Sequence, residues 1–378
     1  MALRTTSRSD DAELDRSIAA AEREAIVIWR GESLAFDTLP ERIAELSGRG
    51  ERDALYGAYR EALEALNPLY ESRQRDRIDA DNAIEAAAAD GPDPRALAVD
   101  LEPLVLHSET PYHAALRRYL ALLDIEQGDA TIADLWHVAR GEAWAHWFGP
   151  AAVQRSVVAV RPDATPAAGE TDWRAAATAL AGEPDSDGPV AAAAREAHAS
   201  LAGDPEWLRG ELGVTAAEIP SLVDFLAFVR LWRLRHDIGR LHYELRLCRD
   251  ADAPAVNRAY YAGIVGHMIG VSVAEEAYLS DVGTPFASAR SIETALLAGQ
   301  LIEVLENRLG ASWWRDESAS SLVAGFAATA SVPDALAYLG YDALDWRPVL
   351  RQIRTRLIGE MSGYGGPNIT TRAGTRKV

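Results

Sequence analysis

The sequence predicts an all-α protein, and three observations carry that expectation. Apolar residues recur three and four apart through much of the chain, alanine supplies a large share of the 48% hydrophobic content, and β-branched runs are scarce. In chain order, Leu55-Tyr56-x2-Tyr59-x3-Leu63-x2-Leu66 comes first and sets its large side chains on one face of a helix. Ala89-Asp-Gly-Pro-Asp-Pro94 then separates two helical stretches. Val157 to Val160 reads as the one short β-branched run and, followed by Arg161-Pro162, as at most a single ribbon. Breakers from Arg161 to Glu170 and from Glu183 to Pro189 bracket a short central segment. Helical spacing returns at Leu222, Phe225, Leu226, Val229, Leu231 and Trp232, and again at Leu296, Leu297, Leu301, Val304 and Leu305. Met361 to Val378 reads as a frayed tail. No segment of 20 to 50 residues repeats, which argues against a helical solenoid.

Charge narrows the partners. Acidic residues number 57 against 38 basic ones, a net charge of −19, so the field of the whole protein repels phosphate backbones and anionic membrane surfaces. Nucleic acid and membrane are therefore not expected. A single cysteine, Cys248, allows no internal disulfide and no thiolate metal cluster. Met1 to Ala20 holds no apolar core of signal-peptide length, and no stretch approaches a membrane span. A cytoplasmic monomer or homodimer is the expectation.

Five pieces between Leu231 and Leu350 occur in a telling order: Leu241-His-Tyr-Glu-Leu-Arg-Leu-Cys248, Tyr278-Leu-Ser-Asp-Val282, Phe286-Ala-Ser-Ala-Arg290, Leu309-Gly-Ala-Ser-Trp-Trp314 and Leu339-Gly-Tyr-Asp-Ala-Leu-Asp345. Glu196-Ala-His-Ala and Asp204-Pro-Glu-Trp-Leu208 extend them upstream. Together they resemble the C-terminal part of the M3 and M3-like oligopeptidases, zinc peptidases of the thermolysin type. That resemblance implies a two-lobed helical fold with a central channel: an N-terminal lobe over residues 1–160, a C-terminal lobe with the active-site region over 161–360, and a tail over 361–378.

The family's chemistry needs His-Glu-x-x-His on a helix, because two ligands four apart share a face and hold one zinc ion while the Glu between them activates its water. The chain contains no such motif. Aligned on Arg161-Pro162 and Asp172-Trp173, Thr178-Ala-Leu-Ala-Gly182 stands in its place. Glu196 is then the remnant of the downstream ligand. The loop that in the family carries transition-state tyrosines here reads Phe286-Ala-Ser-Ala-Arg290-Ser291. The resemblance thus implies a peptidase frame without zinc, and neither a metal nor another cofactor is expected.

Several residues remain as candidates. Glu196, His236 and His242 are the candidate proton-transfer groups, since a histidine with a carboxylate close by exchanges protons near neutral pH. Arg290, Tyr260, Tyr261 and His267 are candidate substrate-binding donors at the cleft. Each has a plainer reading as a packing or surface residue. Glu142 and His146 share a helix face but lack a third ligand, because His137 lies about 140° round the helix from Glu142. Cys248 has only Arg246 and Arg249 nearby in sequence to activate it, and Ser288 and Ser291 have no recognisable paired base.

Two functions stay open. In the first, the chain is a metal-independent repurposed enzyme of cyclase, isomerase or lyase type in specialised metabolism, binding a small molecule or short peptide in the old channel. In the second, it is a non-catalytic pseudopeptidase that holds a peptide or protein as a regulator.

Overall fold

Alanine-rich and leucine-rich periodicity becomes fourteen α-helices among the described residues, with 76% helix and 4% strand. The computed structural model describes residues 8–77, 84, 92–140, 188–211, 213–249, 254–282 and 285–357. The all-α expectation holds at that level. The Val157–Val160 ribbon, the Thr178–Gly182 segment, Glu142, His146, the boundary at residue 160 and the tail all lie outside the described residues.

The chain enters through α1 (Arg8–Glu24), then β1 (Ile26–Trp29) and β2 (Glu32–Ala35), α2 (Leu39–Glu45) and α3 (Arg49–Arg77). The two strands pair antiparallel with Trp29 opposite Glu32, through a tight turn at Arg30 and Gly31. Both turn residues have positive φ, +53° and +87°, as a two-residue turn matched to strand twist requires. This hairpin corrects the sequence reading, which placed the only ribbon at Val157–Val160. Ile26-Val-Ile-Trp29 is itself a β-branched and aromatic run, and its Ile26 and Ile28 face outward at 57% and 69% exposure.

Next come α4 (Pro94–Asp100), α5 (Glu102–Ala121) and α6 (Ile132–Arg140). Asp93 caps α4 by accepting from the Arg95 N–H at 2.9 Å, and Pro94 fills the first turn, where its missing donor costs nothing. A buried ion pair ties α3 to α6, with Arg52 Nη2 at 3.0 Å from Asp134 Oδ1.

The second half holds α7 (Pro189–Ala199), α8 (Pro205–Gly210), α9 (Ile219–Leu247), α10 (Pro254–Ile269), α11 (Ala287–Leu309), α12 (Glu317–Ala327), α13 (Val332–Leu339) and α14 (Arg347–Arg354). Helix α9 is the axle. Phe225, Phe228, Leu231, Ile238, Leu241 and Tyr243 are all fully buried and occupy about 200° of its circumference, packed against α5, α10, α11 and α14. Gly239 lets α10 approach. A Cβ there would stand 3.2 Å from the Val265 Cα. Arg235, fully buried, anchors α9 to α5 and α10 by donating to Val105 O at 3.1 Å, Ser108 Oγ at 2.9 Å and Met268 O at 2.6 Å.

Residues 275–282 are docked on α3, far upstream in the chain. Arg60 donates to both Glu276 carboxylate oxygens at 3.0 and 2.7 Å, and Asn67 donates to Glu276 O at 3.1 Å. The buried apolar side chains form one connected core running from Ile18 to Leu357.

Candidate functional site

An axle helix buried over most of its surface has to explain its charges. On α9, His236, Arg240 and Glu244 are spaced four and four apart, which lines them up along one stripe, and Asp237 lies beside them. The stripe faces Asp281, which the docked segment 275–282 presents, and Tyr261 from α10 closes the group.

Asp281 is the hub. Its Oδ2 accepts from the Tyr261 hydroxyl at 2.9 Å and lies 3.4 Å from His236 Nε2 and 3.6 Å from Arg240 Nε. Arg240 Nη1 reaches the other way, 3.4 Å from Asp237 Oδ1. Behind them, Ser288 at the start of α11 donates to Glu244 Oε2 at 2.9 Å. Tyr243 meets Tyr261 edge to face at 5.1 Å, and Trp232 lies 6.3 Å from the His236 ring. His236, Asp237, Arg240 and Asp281 keep between 17% and 25% of their side-chain surface accessible, enough for a small molecule to touch them. Glu244, Tyr261 and Ser288 lie buried behind that front at 3%, 1% and 0%.

The three carboxyls are driven apart in proton affinity. Burial by itself would raise Asp281, but Arg240, His236 and Tyr261 outweigh it and hold the group at about 2. Burial pushes Asp237 up to about 6 against the pull of Arg240 and His236, with Asp281 and Glu196 adding to the rise. Burial likewise pushes Glu244 up to about 7 against Arg240 and the Ser288 hydrogen bond. One site therefore holds a permanently ionised carboxylate and two carboxyls that exchange protons near neutrality. Three of its polar atoms, His236 Nε2, Arg240 Nε and Glu244 Oε1, are buried without a hydrogen-bond partner. Such atoms mark places where water or a ligand completes the bonding.

Of the residues singled out in the sequence, His236 and Tyr261 meet at Asp281. Glu196 sits on α7 at the margin, 3.5 Å from Arg230 Nη2, close enough to act on Asp237. The other four lie elsewhere. His242 is six residues beyond His236, about 240° round α9, where burial lowers its proton affinity and Glu102 opposes the change. Tyr260 is 39% exposed, with Arg246 5.8 Å from its ring centroid. His267 and Arg290 are exposed, and Arg290 acts on the buried Glu293, a carboxyl that burial pushes up to about 7.

Cys248 is no nucleophile by its surroundings, since burial, with Glu244 adding, pushes its thiol up to about 11. His137 is buried, with Nδ1 2.6 Å from Ala44 O. Arg240 and Asp281 are not among the sequence candidates, and Asp237 and Glu244 enter there only as the carboxylates beside His236 and His242. The legible signal was the spacing of four on a helix otherwise too apolar to carry a solvated face. Among the described residues no group of three or more His, Cys, Asp and Glu side chains is arranged to hold a metal ion, and no helix is long and apolar enough to cross a membrane. Comparison with protein-family models, with curated proteins and with solved structures finds no match.

Proposed function

We propose that the chain is a metal-independent acid–base enzyme that binds a small molecule or short peptide at the Asp281 cluster, on a two-lobed helical frame of the M3 peptidase type whose zinc motif has been lost. The observation that carries this reading is the divergence of proton affinity within one partly accessible cluster: Asp281 at about 2, Asp237 at about 6 and Glu244 at about 7. Groups so arranged can give and take protons in one turnover without an activated water.

The roles follow from position. Asp281 stays ionised and sits 3.4 Å from His236 Nε2, which orients that ring to accept a substrate proton at its other nitrogen. Asp237 in its protonated form, or Glu244 through a water at its unpartnered Oε1, returns a proton to another atom of the substrate, so the net proton count is unchanged. That sequence suits isomerisation, cyclisation or elimination. Arg240, between Asp281 and Asp237, offers its Nε to a developing negative charge. The absence of His-Glu-x-x-His from the sequence supports chemistry independent of zinc. A cytoplasmic monomer or homodimer remains part of the proposal.

The test is to incubate the full chain, with EDTA present, with mixtures of short peptides and small metabolites, and to follow product masses beside the Asp281→Asn, Glu244→Gln and His236→Ala variants. Turnover that survives EDTA and falls at least a hundredfold in these variants is the expected result. Turnover that needs added zinc overturns the reading. Tight binding of a peptide with no turnover, unchanged in all three folded variants, overturns it in favour of the non-catalytic pseudopeptidase.

A further inference from the structure

Arg230 lies seven residues before Asp237 on α9, so it shares the stripe and stands about 10 Å along the helix axis from it. Its contacts are incomplete. Nη1 is 3.4 Å from Gln352 Oε1 and Nη2 is 3.5 Å from Glu196 Oε1, while Nε and Nη2 are both buried without a hydrogen-bond acceptor. Nε and Nη2 form one edge of the guanidinium plane, the edge that meets two oxygens of a carboxylate or phosphate side by side. A second guanidinium stands close by. Arg356 has Nη1 3.4 Å from Ser200 O, and burial, with Arg230 adding, pushes its proton affinity down to about 10. Asp204 and Glu306 act on Arg356 through space, but the Asp204 carboxylate is already engaged in capping α8 at the Trp207 N–H, 2.7 Å away. Arg230 is partly buried, and an edge whose Nε and Nη2 lack a hydrogen-bond acceptor is one that an oxyanion completes.

We infer that Arg230, with Arg356 beside it, forms an anion subsite that takes the carboxylate or phosphate of the ligand whose reacting part lies at the Asp281 cluster. The second half of that statement rests on the proton-transfer reading, whereas anion binding at Arg230 is measurable by itself. The geometry sets the ligand's size. Its anionic group and its reacting atoms are separated by about two helical turns, roughly 10 Å, which an extended tripeptide or a phosphorylated small molecule spans. Glu196 becomes a positioning residue here: it steadies Arg230 and competes with the ligand for the same edge.

The experiment is calorimetric titration of the full chain with inorganic phosphate and, separately, with succinate, at constant ionic strength. The expected result is binding of one anion at least tenfold tighter than the other, which tells phosphate from carboxylate. Arg230→Gln weakens that binding tenfold or more, Arg356→Gln weakens it severalfold, and Glu196→Gln tightens it about threefold by removing the competitor. Should Arg230→Gln fail to fold, Arg230→Lys keeps the charge and the stem but lacks the two-pronged edge, and is expected to weaken binding in the same direction. Binding unchanged in the folded Arg230 variant, or no binding of either anion by the wild-type chain, overturns the inference. Asp281→Asn keeps anion binding within twofold. If neither anion binds while Asp281→Asn and Glu244→Gln still abolish turnover, the anion end alone falls. If phosphate binds through Arg230 and those two variants leave turnover intact, the proton-transfer reading alone falls.

Discussion

Ser288 Oγ donates to Glu244 Oε2 across 2.9 Å, from the start of α11 to the last turn of α9, and leaves Glu244 Oε1 buried without a partner. A carboxyl held this way is easier to bury neutral than charged, and burial pushes it from 4.5 up to about 7.

That shift has a definite sign. Between pH 4.5 and about 7 the folded chain binds a proton at Glu244 that the unfolded chain has released, so this residue's contribution is complete below pH 4.5 and is lost as pH rises through about 7. Glu244→Gln removes the loss. Urea unfolding of both proteins at pH 5 and pH 8 is expected to show the variant gaining on wild type by about 2 kcal/mol across that interval. Asp237, pushed up to about 6, supplies a similar slope that persists in the variant. A parallel pair of stability curves would place Glu244 in water rather than in the interior.

Tyr261→Phe tests the hub from the other side. The variant keeps the ring that meets Tyr243 but removes the hydroxyl that donates to Asp281. Losing one donor to a buried carboxylate costs about 2 kcal/mol at pH 7. Asp281 contributes stability above its unfolded value of 3.8 and loses it as pH falls through about 2, so the deficit stays constant above pH 4 and shrinks below it. Carboxyl NMR should also find Asp281 titrating higher in the variant, still ionised at pH 7.

The helices at Leu55–Leu66, Leu222–Trp232 and Leu296–Leu305 were legible because burial on a helix face leaves a period in the sequence, and each falls within α3, α9 or α11. The hairpin was missed because two of the four residues of β1, Ile26 and Ile28, face outward and mimic no core pattern. At the site, His236 and Tyr261 stood out as chemistry-bearing types. Arg240 and Glu244 did not, because a charge on a helix reads as solvated surface until α5, α10, α11 and α14 are known to cover it. Asp281 depends on Arg60 and Asn67 holding Glu276 from more than 200 residues away, a contact that no local pattern carries.

Cys248 gives a kinetic check on burial at the end of α9. With the thiol pushed from 9.0 up to about 11, the thiolate fraction at pH 8 falls about a hundredfold. Native protein is expected to react with a thiol-specific disulfide reagent at least tenfold more slowly than the urea-unfolded chain. Equal rates would mean that the last turn of α9 opens readily to solvent.

The Arg52–Asp134 pair decides how firmly the segment before the site is held, because α3 carries Arg60 and Asn67 as well as Arg52. Both side chains are almost fully buried, at 2% and 0% exposure, and Arg52 also donates to Leu46 O and Ser47 O at 3.0 Å. Removing one partner leaves the other as an unpaired interior charge, so Arg52→Met and Asp134→Asn should each destabilise by about 3 kcal/mol or more. Asparagine at 134 can still accept from the Thr131 N–H, which Asp134 Oδ2 now does at 3.1 Å, so its loss is mainly one of charge. The double variant should be less destabilised than the sum of the two by about 1 to 3 kcal/mol, since neither charge is then left alone. It will not return to wild-type stability, because the Leu46 and Ser47 carbonyls lose their donor in both Arg52 variants. Additive losses in the unfolding cycle would show instead that the two side chains act independently and that α3 is held chiefly by its apolar stripe.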